Sequence, residues 1–281
     1  MKLFKRRNDG VKGEMSFIEH LDVLRGHLFK SAVAVAIGAI IVAIYNNFIF
    51  RKILMGPTHG DFPTYGILCR LSQALGMGAK LCMSQVNVKF QSNTVAGQFG
   101  VYFNVILIGG FILAFPYVFW QFWKFTKPAL NPKELKNTKG VIFWVSLLFF
   151  CGVFFGFFVI APYTISFFSK FSLDDSIENL WTVNSYFNTI VPLILGSGLA
   201  FQLPLVLYFL ARVGVVSAQF LRNGRKYAII IMLVVAGIIT PPDMLSQIVC
   251  TIPLILLYEI GILLCVRVEK SQGRDKPAEW S

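Results

Sequence analysis

The chain has 281 residues, 56% of them hydrophobic and only 14% charged, and phenylalanine alone accounts for 28. A water-soluble domain carries roughly a quarter of its residues charged, so this composition excludes one. The formal net charge of +12 needs no nucleic acid to explain it, because Lys and Arg gather in the cytoplasmic loops of membrane proteins.

In chain order, the basic start (Lys2, Lys5, Arg6, Arg7, Lys12) runs into a polar stretch from Glu14 to Arg25. That stretch is too long and too charged for a signal-peptide n-region, so no cleavable leader is expected. No apolar region follows Arg6-Arg7, which reads as a positive anchor. Phe17, Leu21, Leu24 and Leu28 recur at helical spacing, predicting an amphipathic helix in a cytoplasmic segment over residues 1–30. The first apolar run, 31–50, is twenty residues long; at ~1.5 Å each it spans ~30 Å, one hydrocarbon thickness. A polar, Gly-containing loop covers 51–98, and a second span 99–122. A basic connector leads to the third span, 141–168. An acidic connector with Asp174, Asp175 and Glu178 precedes the fourth, 186–211. A basic loop ending in Arg225-Lys226 introduces the last two, 227–239 and 246–266. The tail, 267–281, is polar and expected to be disordered.

The fold class is therefore all-α: a six-helix transmembrane domain over 31–266, lying in the lipid bilayer. With both ends inside, 20 of the 26 Lys and Arg residues fall on the cytoplasmic side and six outside, which sets the orientation. The fifth span is short: thirteen residues followed by Pro241-Pro242 make only ~20 Å of helix, which a bilayer must thin to accept.

Enzyme signatures are scarce. No phosphate loop occurs, and the three histidines, His20, His27 and His59, form no metal-binding spacing. No catalytic activity, metal or cofactor is expected. What stands out is polar groups at membrane depth, costly to keep there: Gln202 in the fourth span, and Asp243, Gln247 and Glu259 at or in the sixth. Gln202 and Glu259 fit either interhelical hydrogen bonds or the wall of a polar cavity; Asp243 fits a helix N-cap. On the cytoplasmic side Glu19 and Asp22 precede the first span, and Glu134 is the one carboxylate of the first cytoplasmic connector. They are either solvated surface charges or a receptor for a basic peptide. Cys69 and Cys82 share the first outside loop, where an oxidising compartment permits a disulfide; two free thiols fit as well.

Several short stretches, taken together and in order, resemble the TatC family, the polytopic subunits of the twin-arginine protein translocase. They are His20-Leu-Asp-Val-Leu-Arg25, Phe125-Thr-Lys-Pro-Ala-Leu130 with Glu134, Phe201-Gln-Leu-Pro204, Thr240-Pro-Pro-Asp243 with Gln247, and Tyr258-Glu-Ile-Gly261. The resemblance covers about residues 16 to 268. It implies recognition of twin-arginine signal peptides and nucleation of a complex that moves folded proteins across the cytoplasmic (inner) membrane. It also implies small single-span TatA- and TatB-type partners, self-association and use of the proton-motive force. By position it makes Arg25, Phe125 and Glu134 part of the signal-peptide patch, with Glu134 on a guanidinium. The family usually carries Glu where this chain has Val23. Glu19, one helical turn earlier, is expected to supply that charge with help from Asp22. Some family members have Glu at the position of Gln202, which cannot titrate. A secondary transporter or channel for a small solute is the alternative that broken helices and buried polar groups suggest, but the six spans contain no internal repeat.

Overall fold

The computed structural model describes residues 17–74, 90–126, 140–172, 174, 180–240 and 244–271. Helix α1 (Phe17–Ile44) is a single element of 28 residues. It contains no proline and runs straight through the boundary expected at residue 30, so the amphipathic helix and the first span are one rod. Leu21, Leu24 and Leu28, the expected apolar face, are exposed and do not join the bundle core. The rod stops six residues earlier than the expected span: Tyr45 is a turn, followed by the short helix Asn46–Phe48 and the wide-turned stretch Ile49–Leu54. The pair Asn46-Asn47, both weak helix formers, follows at once.

The segment expected as a loop contains a helix, α2 (Pro63–Ala74). Pro63 opens it, at a position where the missing N–H costs nothing. Phe62 is buried between Phe157 and Phe158, Thr64 Oγ1 donates to the Phe158 carbonyl at 2.7 Å, and the Tyr65 hydroxyl donates to that of Pro57. These contacts bind the region as a cap on one end of the bundle. Strands β1 (Phe90–Gln91) and β2 (Trp181–Thr182) pair in parallel at the same end, Phe90 opposite Trp181.

Three long helices follow: α3 (Gly97–Thr126), α4 (Val141–Lys170) and α5 (Val183–Val213). Thr182 caps α5 by accepting from the Ser185 amide at 3.1 Å. The helix opens at Phe201-Gln202, just before Pro204, whose ring removes a donor and crowds the preceding turn. It ends at Gly214, whose φ of +83° supplies the left-handed C-cap. Helices α6 (Ala218–Asn223), α7 (Arg225–Ile239) and α8 (Met244–Ser271) complete the described residues.

Five of these helices are long and apolar enough to cross a membrane: α1, α3, α4, α5 and α8. The sixth, α7, has 15 residues, ~22 Å of helix, matching the short fifth span expected. The core centres on α5, where Ile190, Leu193 and Ser197 are almost fully enclosed, packed by Phe149 and Ile160 of α4 and Leu254 of α8. Outward residues such as Ile40, Leu107, Ile230 and Leu256 are exposed, as a surface facing acyl chains should be. Helices α1 and α3 run antiparallel and almost touch. A β-carbon on Gly38 would lie 2.5 Å from the Gly110 carbonyl oxygen, and one on Gly110 2.5 Å from the Ala39 nitrogen, so only glycine fits at the crossing.

Candidate functional site

The close α1–α3 crossing fixes a register that reaches the opposite end from the cap. Gly38 lies against Gly110. Eleven residues back along α1, His27 Nδ1 meets Gln121 Oε1 at 2.7 Å, eleven residues on along α3. Gln121 is 3% exposed, so its amide depends on this partner. The imidazole also sets its edge toward Phe125, ring centroids 6.5 Å apart. One further turn makes Val23 level with Phe125. Val23 lies one turn before His27, and the backbone of Glu19 one turn further, beyond the described end of α3.

Nearby side chains set the local charge and shape. Asp22 and Arg25 are exposed on α1, Phe125 is half-buried, and the Lys124 ammonium rests over the Trp120 ring at 3.7 Å. Trp123 is buried and packs on Phe209 of α5, tying the end of α3 to the bundle. Glu134 lies outside the described residues. The structure thus gathers Asp22, Arg25 and Phe125 at one end of the α1–α3 pair, with the backbone of Glu19 beside them.

The polar groups at membrane depth separate into different jobs. Gln202 sits in the α5 break and donates from Nε2 to the Val145 carbonyl of α4 at 3.2 Å; its Oε1 is buried without a partner among the described residues. Gln247 of α8 donates to the Leu233 carbonyl of α7 at 2.9 Å. Glu259 forms an ion pair with Arg225 at 2.8 Å, joining α8 to the start of α7. All three bridge helices. Asp243, with the Pro-Pro pair, is outside the described residues. Cys69 is disulfide-bonded; Cys82, the other cysteine of that segment, also lies outside them, while Cys151, Cys250 and Cys265 are free.

No motif marks His27 and Gln121, the contact that locks this end, as a pair. A signal was present in Gln121, an amide between Trp120 and Trp123 at the end of an apolar run.

Long apolar helices, a folded cap at one end and a polar helix junction at the other define a polytopic α-helical membrane protein. A family model described as "Sec-independent protein translocase protein (TatC)" matches residues 19–253. The chain belongs to the TatC family. It is 39% identical over 262 residues to the Sec-independent protein translocase protein TatC of Blattabacterium sp. subsp. Periplaneta americana (strain BPLAN), covering 93% of this chain and 98% of that one. It is 38% identical over 248 residues to the TatC of Desulforapulum autotrophicum, covering 88% and 83%. Among solved structures it is similar to a crystal structure described as "Twin Arginine Translocase Receptor- TatC in DDM", with a TM-score of 0.69, 30% identity, and coverage of 88% of this chain and 99% of that one.

Proposed function

We propose that this chain is the receptor subunit of a twin-arginine translocase, set in the cytoplasmic membrane with both termini in the cytoplasm. It recognises twin-arginine signal peptides on folded substrates and nucleates their export with single-span TatA- and TatB-type subunits. The receptor patch comprises Glu19, Asp22, Arg25 and Phe125 together with Glu134 on the connector after α3. Carboxylates serve here because a guanidinium pairs with them through two parallel hydrogen bonds, whereas a lysine offers only a point charge. The excess of Lys and Arg on the side holding both termini supports the orientation.

The observation that carries this reading is the His27–Gln121 contact. It holds the start of α1 against the end of α3, from which the Glu134 connector departs. On this account Val23 is tolerated where a family Glu is usual because Glu19, on the same helix face, carries the charge. The outside pair Cys69 and Cys82 forms the disulfide in which Cys69 takes part. The test is binding of a fluorescent twin-arginine signal peptide to the purified full chain. Glu134→Gln and Glu19→Gln should each weaken binding about tenfold or more, and a Lys-Lys signal should bind poorly. Unchanged binding in Glu134→Gln would remove the patch from its assigned place; unchanged binding in Glu19→Gln alone would remove only the compensation.

A further inference from the structure

At the capped end of the bundle, α1, α3, α4 and α5 leave a crevice of about 350 Å³ between them. Its walls are apolar: Val42, Val105, Ile112, Val153, Val191 and Ile194 all line it. Leu113 and Phe154 also line it and are 50% and 58% exposed, so the crevice opens sideways, toward the bilayer. The carbonyl of Leu54, one of the lining residues, already accepts the Tyr186 hydroxyl at 2.6 Å. The side chains that line the crevice offer water no hydrogen-bonding partner. An apolar cavity of about 150 Å³ already takes a benzene-sized guest, and an unfilled void forfeits contacts along its whole wall. A second transmembrane helix, ~10–12 Å across, is too thick to enter. An alkyl chain has the right section.

The stretch Ile49–Leu54 gives the crevice a charged edge. Ile49 and Ile53 line it, while Arg51 and Lys52 between them are exposed. The Lys52 ammonium lies 5.8 Å from the centre of the Phe48 ring. Arg51 lines a neighbouring hollow of about 390 Å³ with Asn46, Asn47 and Gln98. Two adjacent cations and several amides thus lie where a lipid headgroup would be if its tail occupied the crevice. In the proposed orientation this is the outer end, where the sequence otherwise places few cations; the site itself stands in either orientation.

We propose that the crevice holds one acyl chain of a resident phospholipid whose anionic headgroup rests against Lys52 and Arg51. The lipid fills the space between four helices and braces the cap at the end of α1.

Native mass spectrometry of the full chain in detergent, supplied with phosphatidylglycerol or phosphatidylcholine, tests this. The wild type should retain one phosphatidylglycerol with at least a tenfold preference over phosphatidylcholine. R51Q/K52Q should lose the preference, and L113W, which enlarges a half-exposed side chain at the mouth, should lower retention of both lipids. These positions are exposed, so folding should survive, and a thermal melt of each variant checks it. Equal retention of the two lipids by the wild type would overturn the proposal, as would a folded R51Q/K52Q that keeps the preference or a folded L113W that binds as before.

Discussion

Replacing His27 with alanine should cost more than replacing its partner Gln121 with leucine, because the two ends of the bond are unequally buried. Gln121 is 3% exposed while His27 is only partly buried. Removing the imidazole leaves Oε1 of Gln121 desolvated and without its donor, a penalty of ~1–3 kcal/mol. Gln121→Leu removes the buried polar group along with the bond, and the partly exposed histidine can turn to water, so ~0.5–1.5 kcal/mol is expected. The double variant should resemble Gln121→Leu alone, giving a coupling of about 1 kcal/mol or more. If this contact sets the geometry of the signal-peptide patch, a loss of 1–3 kcal/mol corresponds to roughly 5–150-fold weaker binding. The assay is equilibrium binding of a fluorescent twin-arginine peptide to the four proteins, with thermal melting as a check on folding. Additive effects, or a His27→Ala protein that binds as well as Gln121→Leu, would refute the reasoning.

Other perturbations test the scaffold. Gly110→Ala drives a methyl group into the backbone of α1 and should cost ~3 kcal/mol or more, seen as loss of monodisperse protein. Gly26→Ala, with nothing within 4 Å, should be neutral or stabilise α1 by up to ~1 kcal/mol. Glu259→Gln breaks a pair whose side chains are 49% and 42% exposed, so its effect on the melting midpoint should stay within about 1 kcal/mol. Burial pushes the Tyr65 phenol up to about 12, whereas the unfolded chain releases that proton near 10. The folded cap holds the proton more tightly, so this contribution is intact below pH 10 and is lost as the pH rises toward 12, by up to about 3 kcal/mol. Tyr65→Phe should flatten that part of the pH–melting profile.

The spans were legible because each is an apolar run bounded by charge, and even the short α7 announced itself through Pro241-Pro242. Helix ends were harder. Nothing in the pattern from Leu21 to Phe50 marks where α1 yields to a wider turn, since Asn46-Asn47 looks like an ordinary polar break. Helix α2 escaped because Pro63 and Gly66 read as loop residues, and its order comes from Phe62 seated between Phe157 and Phe158. The candidate site divides the same way. Asp22, Arg25 and Phe125 were visible in motifs. The His27–Gln121 bond joins residues 94 positions apart, and no periodicity encodes such a distance; only the glycine crossing farther along the same helices sets it. For Glu259, sequence left two roles open, and the partner that favours a bridge, Arg225, lies 34 residues away.

The central claim is tested most directly by a twin-arginine signal peptide carrying a photoreactive residue beside its arginine pair, cross-linked to the full chain in membranes. Adducts are expected at the Glu19–Asp22 turn of α1 and on the Glu134 connector, lost when Glu134 is changed to Gln or the arginines to lysines. Adducts confined to the capped end, near Phe62 and Tyr65, or adducts at the α1–α3 end that persist unchanged in Glu134→Gln, would contradict the receptor assignment.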